Sequence, residues 1–319
     1  TIIAASALPA ILYFLTVSYF VRIEAKRLKL TPTRNADSEN VSDVLKEGWH
    51  FIIPMIVLVY FLVSGRTPTT SAAFAILSVI AASYLSPRPM RAGDIFDAVV
   101  EGVKTMVSTA LLLVAVGIII NVVTTTGVGN AFSLMIVEWA QGSLLVTLIL
   151  VALASLVLGM GLPVTASYIV LATLSAPLIF DLISQSQLLE ALQAGDLPSN
   201  VAATIGLFGG DPVVALQEMP LEMKQLIRQE MIEPELLTGM LLSAHLIIFW
   251  LSQDSNVTPP VCLASFAAAG IAGTRPIATG LTSWKVAKGL YLVPVLFAYS
   301  PLISGTWPER IEVFIWSCM

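Results

Sequence analysis

The stretch Asp254-Ser255-Asn256-Val257-Thr258-Pro259-Pro260 sets four oxygen-bearing side chains in front of two prolines. Carboxylate, amide and hydroxyl oxygens are the ligands that small hard cations take. The prolines carry no amide hydrogen and clash with the preceding turn, so a helix breaks here and its carbonyls lose their donors. The flanking apolar runs, 237–252 and 261–272, are each too short to cross a bilayer, which takes about 20 residues. Together they have the length of one crossing with a polar, broken middle. Backbone that leaves the helix at membrane depth survives only where it lines an enclosed or watery cavity. Cation binding at half-helix ends, the way secondary transporters build their sites, is the chemistry this pattern offers. The plainer alternative is an extramembrane loop between two short helices.

A second break lies at Gly159-Met160-Gly161-Leu162-Pro163, between the apolar runs 143–158 and 164–180. Glycine and proline in close succession end a helix. With arms of about 16 residues the segment can turn back as a re-entrant hairpin whose tip lies near the midplane. Two ordinary spans joined by a tight turn, packed through small residues, remain the competing reading. Other candidates carry less. Thr124–Gly129 is a helix-end turn, and its GxG lacks the third glycine and preceding strand of a nucleotide site. His50 and His245 are the only histidines and neither has a partner at metal-ligand spacing, so no metal is expected beyond a coupling ion. His245 is expected to hydrogen-bond within the bundle. The sequons at Asn40 and Asn256 are read as coincidental.

The elements that must hold these breaks are apolar helices. The chain of 319 residues is 56% hydrophobic and 12% charged, with a mean hydropathy of +0.87. Soluble domains carry about twice that charge. The fold class is therefore all-α, a polytopic transmembrane helical bundle in a lipid bilayer. No basic patch is present to follow a phosphate backbone, which excludes nucleic acid as a partner. Cys262 and Cys318 stand far apart in apolar context and read as inert thiols. The apolar last residues and the absence of an initiator Met suggest a piece of a longer chain.

In order, 1–21 is a span and 22–48 a basic, hence cytoplasmic, linker. Residues 49–142 supply scaffold helices, with spans at 49–64, 69–86 and 105–123 and an interfacial amphipathic helix at 88–104. The broken hairpin occupies 143–184. Segment 185–236 holds eight acidic residues against Lys224 and Arg228, and its low basic content suits the non-cytoplasmic side. It is either a docking surface or a solvated loop with one or two short helices, such as 221–230. The discontinuous helix is 237–272, and 273–319 brings a basic loop (273–288) and truncated C-terminal helices. Ala7–Phe14 echoes Leu292–Tyr299 in spans of opposite direction, as in inverted repeats.

Three stretches, Gly159–Tyr168, Thr258–Ala272 and Trp284 with Pro294–Pro301, resemble the fused membrane subunit of tripartite ATP-independent periplasmic (TRAP) transporters, in the branch paired with TAXI-type binding proteins. Val21–Leu28 is similar to that family's link between its two halves. The resemblance is to the C-terminal portion of that subunit, covers essentially the whole chain except 185–236, and implies an elevator-type symporter in the bacterial inner (cytoplasmic) membrane. It would import a small organic anion such as a carboxylate with Na+ as coupling ion, receiving it from a periplasmic TAXI-type solute-binding protein. The chain would carry the second inverted repeat, with 1–21 as the last helix of the first. Ion-binding roles carry over to Gly159, Gly161, Pro163, Thr165, Asp254, Asn256, Thr258 and Pro259. Substrate-binding roles carry over to Ser167, Ser255 and Pro260. The first repeat's own hairpin and broken helix are absent, and 185–236 is longer than the family's connection. The rivals are proton coupling through Asp254, a structural scaffold, and an intramembrane enzyme. The last lacks any GxSxG, HExxH or paired membrane aspartates, so no catalytic residue is assigned.

Overall fold

The computed structural model describes residues 2–29, 48–86, 89–159, 162–194, 197–259 and 262–318. The linker calls on 30–47, and the site calls on Gly161 and Pro260, lie outside the described residues. Among the described residues all regular structure is helical. The chain divides into two compact units, 1–29 with 115–319, and 30–114.

In the smaller unit a 3-10 turn (Trp49–Phe51) leads into a helix over Ile52–Val63 that pairs with a second over Pro68–Ser83. We label the helices in chain order: α1 Ile2–Arg27, α2 Ile52–Val63, α3 Pro68–Ser83 and α4 Ala92–Thr126. Gly65, at φ 80°, makes the tight α2–α3 turn that a side chain would strain. Thr67 then caps α3 by accepting from the Thr70 amide, with Pro68 at the first helical position, where its missing N–H costs nothing. Phe61 and Phe74 stack across the pair at 4.4 Å. Interfacial helix 88–104 and span 105–123 are one continuous helix, α4, because no proline interrupts the stretch and a lone Gly102 does not end a helix.

The larger unit contains α1, the end of α4, α5 (Val128–Ala140), α6 (Leu144–Gly159), α7 (Val164–Gln193), and α8 (Ser199–Leu207). It continues with α9 (Pro212–Glu218), α10 (Leu221–Met231), α11 (Pro234–Ser252), α12 (Leu263–Ala272), α13 (Pro276–Val286), α14 (Gly289–Tyr299) and α15 (Trp307–Cys318). Its apolar core joins α1, α5, α6, α7, α11 and α14, with Val151, Leu171, Ile179, Ile247, Ile248, Val293 and Phe297 fully enclosed. The two echoing segments lie in α1 and α14, which pack together; Gly289 sits where a Cβ would come within 3.1 Å of the Tyr13 ring.

The pair α7 and α11 is the spine. Tyr168, near the start of α7, meets His245 and Phe249 near the end of α11, while Phe180 lies beside Leu237 and Leu241 at its start. The helices are thus antiparallel. The 18 residues from Val164 to Asp181 and the 18 from Glu235 to Ser252 both measure about 27 Å at 1.5 Å per residue. Equal lengths from one common end bring both breaks to the same level at the other.

Two expectations change here. The second arm does not stop at 180: α7 runs to Gln193, 30 residues, and is by length and composition able to cross a membrane. The breaks therefore lie about 27 Å from the level of Asp181, just ahead of the 185–236 segment, close to a full hydrocarbon thickness of about 30 Å rather than half of one. Arms of this length suit the pair-of-spans alternative as well as a hairpin. Segment 185–236 is not a solvated loop either. The end of α7 and helices α8, α9 and α10 enclose Leu188, Leu192, Val201, Ile205, Leu216, Ile227 and Ile232 in a core of their own. Helices of 7 to 11 residues are marginal alone, so this burial is what keeps them folded.

Candidate functional site

Helix α11 tightens into a 3-10 turn at Gln253–Asn256, and the next helix, α12, begins at Leu263. The Val257 and Thr258 amides both donate to the Asp254 carbonyl, at 3.0 and 2.9 Å. The donors that an α-helix would bring to the Ser255 and Asn256 carbonyls belong to residues 259 and 260, which are prolines and have none. Two backbone carbonyls at the break are therefore stripped of their helical partners.

The second break meets the first. Helix α6 ends on Gly159, buried against the 3-10 turn: a Cβ there would lie 3.2 Å from Ser255 Cβ and 3.3 Å from its Cα. A side chain here would press on Ser255 by a few tenths of an ångström, so glycine gives the closest approach. Helix α13 closes in from elsewhere, with Gly280 placed so that a Cβ would fall 2.7 Å from Cys262 Sγ and 3.0 Å from Pro259 Cγ. Segment 273–288, read from its charge as a loop, is thus largely a helix folded onto the break, started by Pro276 at its first position.

Asp254 is 1% exposed. Its Oδ1 accepts from the Tyr291 hydroxyl at 2.6 Å, and that hydroxyl accepts in turn from Trp284 Nε1 at 2.9 Å. Its Oδ2 is buried without a hydrogen bond. Thr258 is the other side chain turned to the carboxylate, although its buried Oγ1 makes no hydrogen bond of good geometry. Among the described residues no lysine, arginine or histidine nitrogen pairs with Asp254. A buried carboxylate left in that condition is costly and calls for a cation or a proton.

The remaining candidates separate. Ser255 is buried and donates to the Ser252 carbonyl at 3.1 Å. Asn256 is half-buried, donates to Gln253 Oε1 at 3.2 Å, and lines a different cavity of about 370 Å3 with Tyr13, Trp250 and Gln253. Pro163 precedes α7 in extended conformation and is exposed, as is Thr165. Ser167 is buried with its hydroxyl unpaired. Pro259 touches the Gly280 position as above. His245 bonds Tyr168 at 3.2 Å, as expected of a histidine within the bundle. No group of three metal-ligating side chains occurs among the described residues.

Three residues had no site role in the sequence: Tyr291, Gly280, and Trp284, which stood there only as part of a family motif. Tyr291 had a signal, since a phenol in an apolar run needs a hydrogen-bond partner. Nothing in the sequence named that partner.

Against known families, residues 1–303 match the model described as Tripartite ATP-independent periplasmic transporter, DctM component. The chain belongs to that family. No curated protein and no solved structure gives a significant match. The DctM chain is accordingly a transporter permease subunit and not an enzyme, a multi-pass integral membrane protein that works with a periplasmic solute-binding protein on a transported substrate.

Proposed function

We propose that this DctM subunit couples import of a small organic anion, a carboxylate in the first instance, to sodium held between the two breaks. One observation carries the reading: Asp254 is buried at a break whose Ser255 and Asn256 carbonyls lack helical donors, one of its oxygens is bare, Thr258 lies next to it, and among the described residues no cationic side chain pairs with it. The donors are all oxygens, which fits Na+ and not a soft metal. Gly159 against Ser255 ties the ion site to the start of α7, where Ser167 offers an unpaired hydroxyl to solute. Differential affinity of ion and solute for two arrangements of these breaks would supply the coupling, in an elevator-type cycle in the bacterial inner membrane. The partner would be a TAXI-type binding protein, docked on the acidic insert. A proton on Asp254 is the second reading, favoured by the same bare oxygen.

The test is the melting temperature of the protein in detergent in sodium against potassium at equal ionic strength. A ligand at 100 times its Kd adds about 2.7 kcal/mol to the folded state. The expected result is a sodium-specific rise lost in Asp254→Asn and reduced in Thr258→Val. A rise that follows pH and ignores sodium replaces sodium by the proton.

A further inference from the structure

The ion site is built from the two breaks, but the charge on Asp254 is aimed by neither. It is met by Tyr291 from α14, which is met by Trp284 from α13. The indole N–H can only donate, whereas a phenol both donates and accepts. Trp284 therefore takes a lone pair of the Tyr291 oxygen and leaves its single hydrogen for Asp254 Oδ1. With the indole in place the chain runs from Trp284 to Tyr291 to Asp254. At 2.6 Å the last link is a short hydrogen bond.

Both aromatic residues also wall an apolar cavity of about 410 Å3, with Leu145, Leu148, Leu156 and Pro294. Such walls screen little, so a donor aimed at the carboxylate acts at full strength. Gly280 and Trp284 are four residues apart on α13 and share a face. That face touches the break twice, at Pro259 and Cys262 through Gly280 and at Asp254 through Tyr291.

We infer that Tyr291 and Trp284 are positioning residues of the cation site: they hold Asp254 rotated so that Oδ2 is presented to the ion. The inference rests on the proposed ion-site function and assigns α13 and α14, rather than the broken segments alone, a share in ion affinity.

The experiment is a sodium titration of melting temperature, potassium making up the ionic strength, on wild type, Tyr291→Phe, Trp284→Phe and the double variant. Tyr291→Phe removes the donor and keeps the ring; the sodium midpoint should rise about tenfold, equivalent to about 1.4 kcal/mol. The full shift should still be reached at saturating sodium. Trp284→Phe should raise the midpoint by a smaller factor, because Tyr291 can still donate once freed. In the double variant the midpoint should equal that of Tyr291→Phe, since Trp284 acts only through the hydroxyl. A purely structural role would lower the melting temperature in potassium and leave the midpoint in place, and that result overturns the inference. If Tyr291→Phe does not fold, an unmoved midpoint in Trp284→Phe overturns it equally. A wild type that shows no sodium-dependent shift removes the ion-site function and the inference with it, whereas a wild-type shift with unmoved variants removes the inference alone.

Discussion

Arg228 and Asp181 form the one buried ion pair among the described residues, and they join α10 of the insert to α7 at the point where α7 leaves the bundle. Arg228 also lies over the Phe180 ring, 5.1 Å from its centre. The two partners are unequally covered: the arginine side chain is 3% exposed and the aspartate 21%. Removing one partner of a buried pair costs about 3–5 kcal/mol because the other charge is stranded. Asp181→Asn strands the fully covered guanidinium and should fall in that range. Arg228→Met strands a carboxylate that water can reach, while methionine refills the space over Phe180, so its cost should be nearer 1–2 kcal/mol. Combining the two replaces the pair by neutral groups and should recover most of the loss. The readout is hydrogen exchange of α8–α10 amides, which follows local opening. A cost of 3 kcal/mol raises the open population by about two orders of magnitude. Exchange in the core helices α6 and α11 should change far less. If Arg228→Met opens the insert as much as Asp181→Asn does, or if neither does, the pair does not latch the insert and the burial argument is wrong.

The other predictions concern the breaks and the insert surface. Gly280→Ala must displace Cys262 and Pro259, and should destabilise by about 1–3 kcal/mol in thermal unfolding, the usual cost of overpacking. Gly159→Ala intrudes by only a few tenths of an ångström on Ser255 and gains helix propensity of about 0.5–1 kcal/mol, so stability should change little while the sodium midpoint rises. Asn256→Ala should leave the sodium midpoint unchanged, because its amide is engaged with Gln253 beside a different cavity; the midpoint read alongside Thr258→Val decides this. Neutralising the exposed Glu218, Glu222 and Glu233 together should slow association of the binding protein and flatten its salt dependence, measured by surface plasmon resonance. Association unchanged at low salt would remove the insert from the docking surface.

The positions of the two breaks were legible because each is written in residues with a local effect. Pro259 and Pro260 delete donors wherever they stand, and Gly159 to Pro163 cannot carry a helix through. The apolar runs likewise declare a helical membrane protein, since they are continuous rather than alternating and a helix satisfies its own backbone in lipid. The burial of Asp254 between apolar half-helices, and hence its candidacy, followed from the same local pattern.

What joins those features is not local. Whether Gly159 meets Ser255 depends on α7 and α11 having equal length from a shared end, and the second half of α7 was hidden by a composition that looked like loop. The insert's core is spaced over the end of α7 and three short helices, of which the sequence pattern announces only the one near 221–230. Arg228 reads in sequence as one of two basic residues in an acidic segment, and only packing against α7 gives it Asp181. Tyr291 and Asp254 stand 37 residues apart, with α12 and α13 between them. Composition and helix breakers act on a residue's immediate neighbours, so the sequence determined which segments are helical and where they fail. Hydrogen bonds between distant segments exist only once the chain has closed on itself, so the tertiary structure alone decided which oxygen of Asp254 is held and which is left bare.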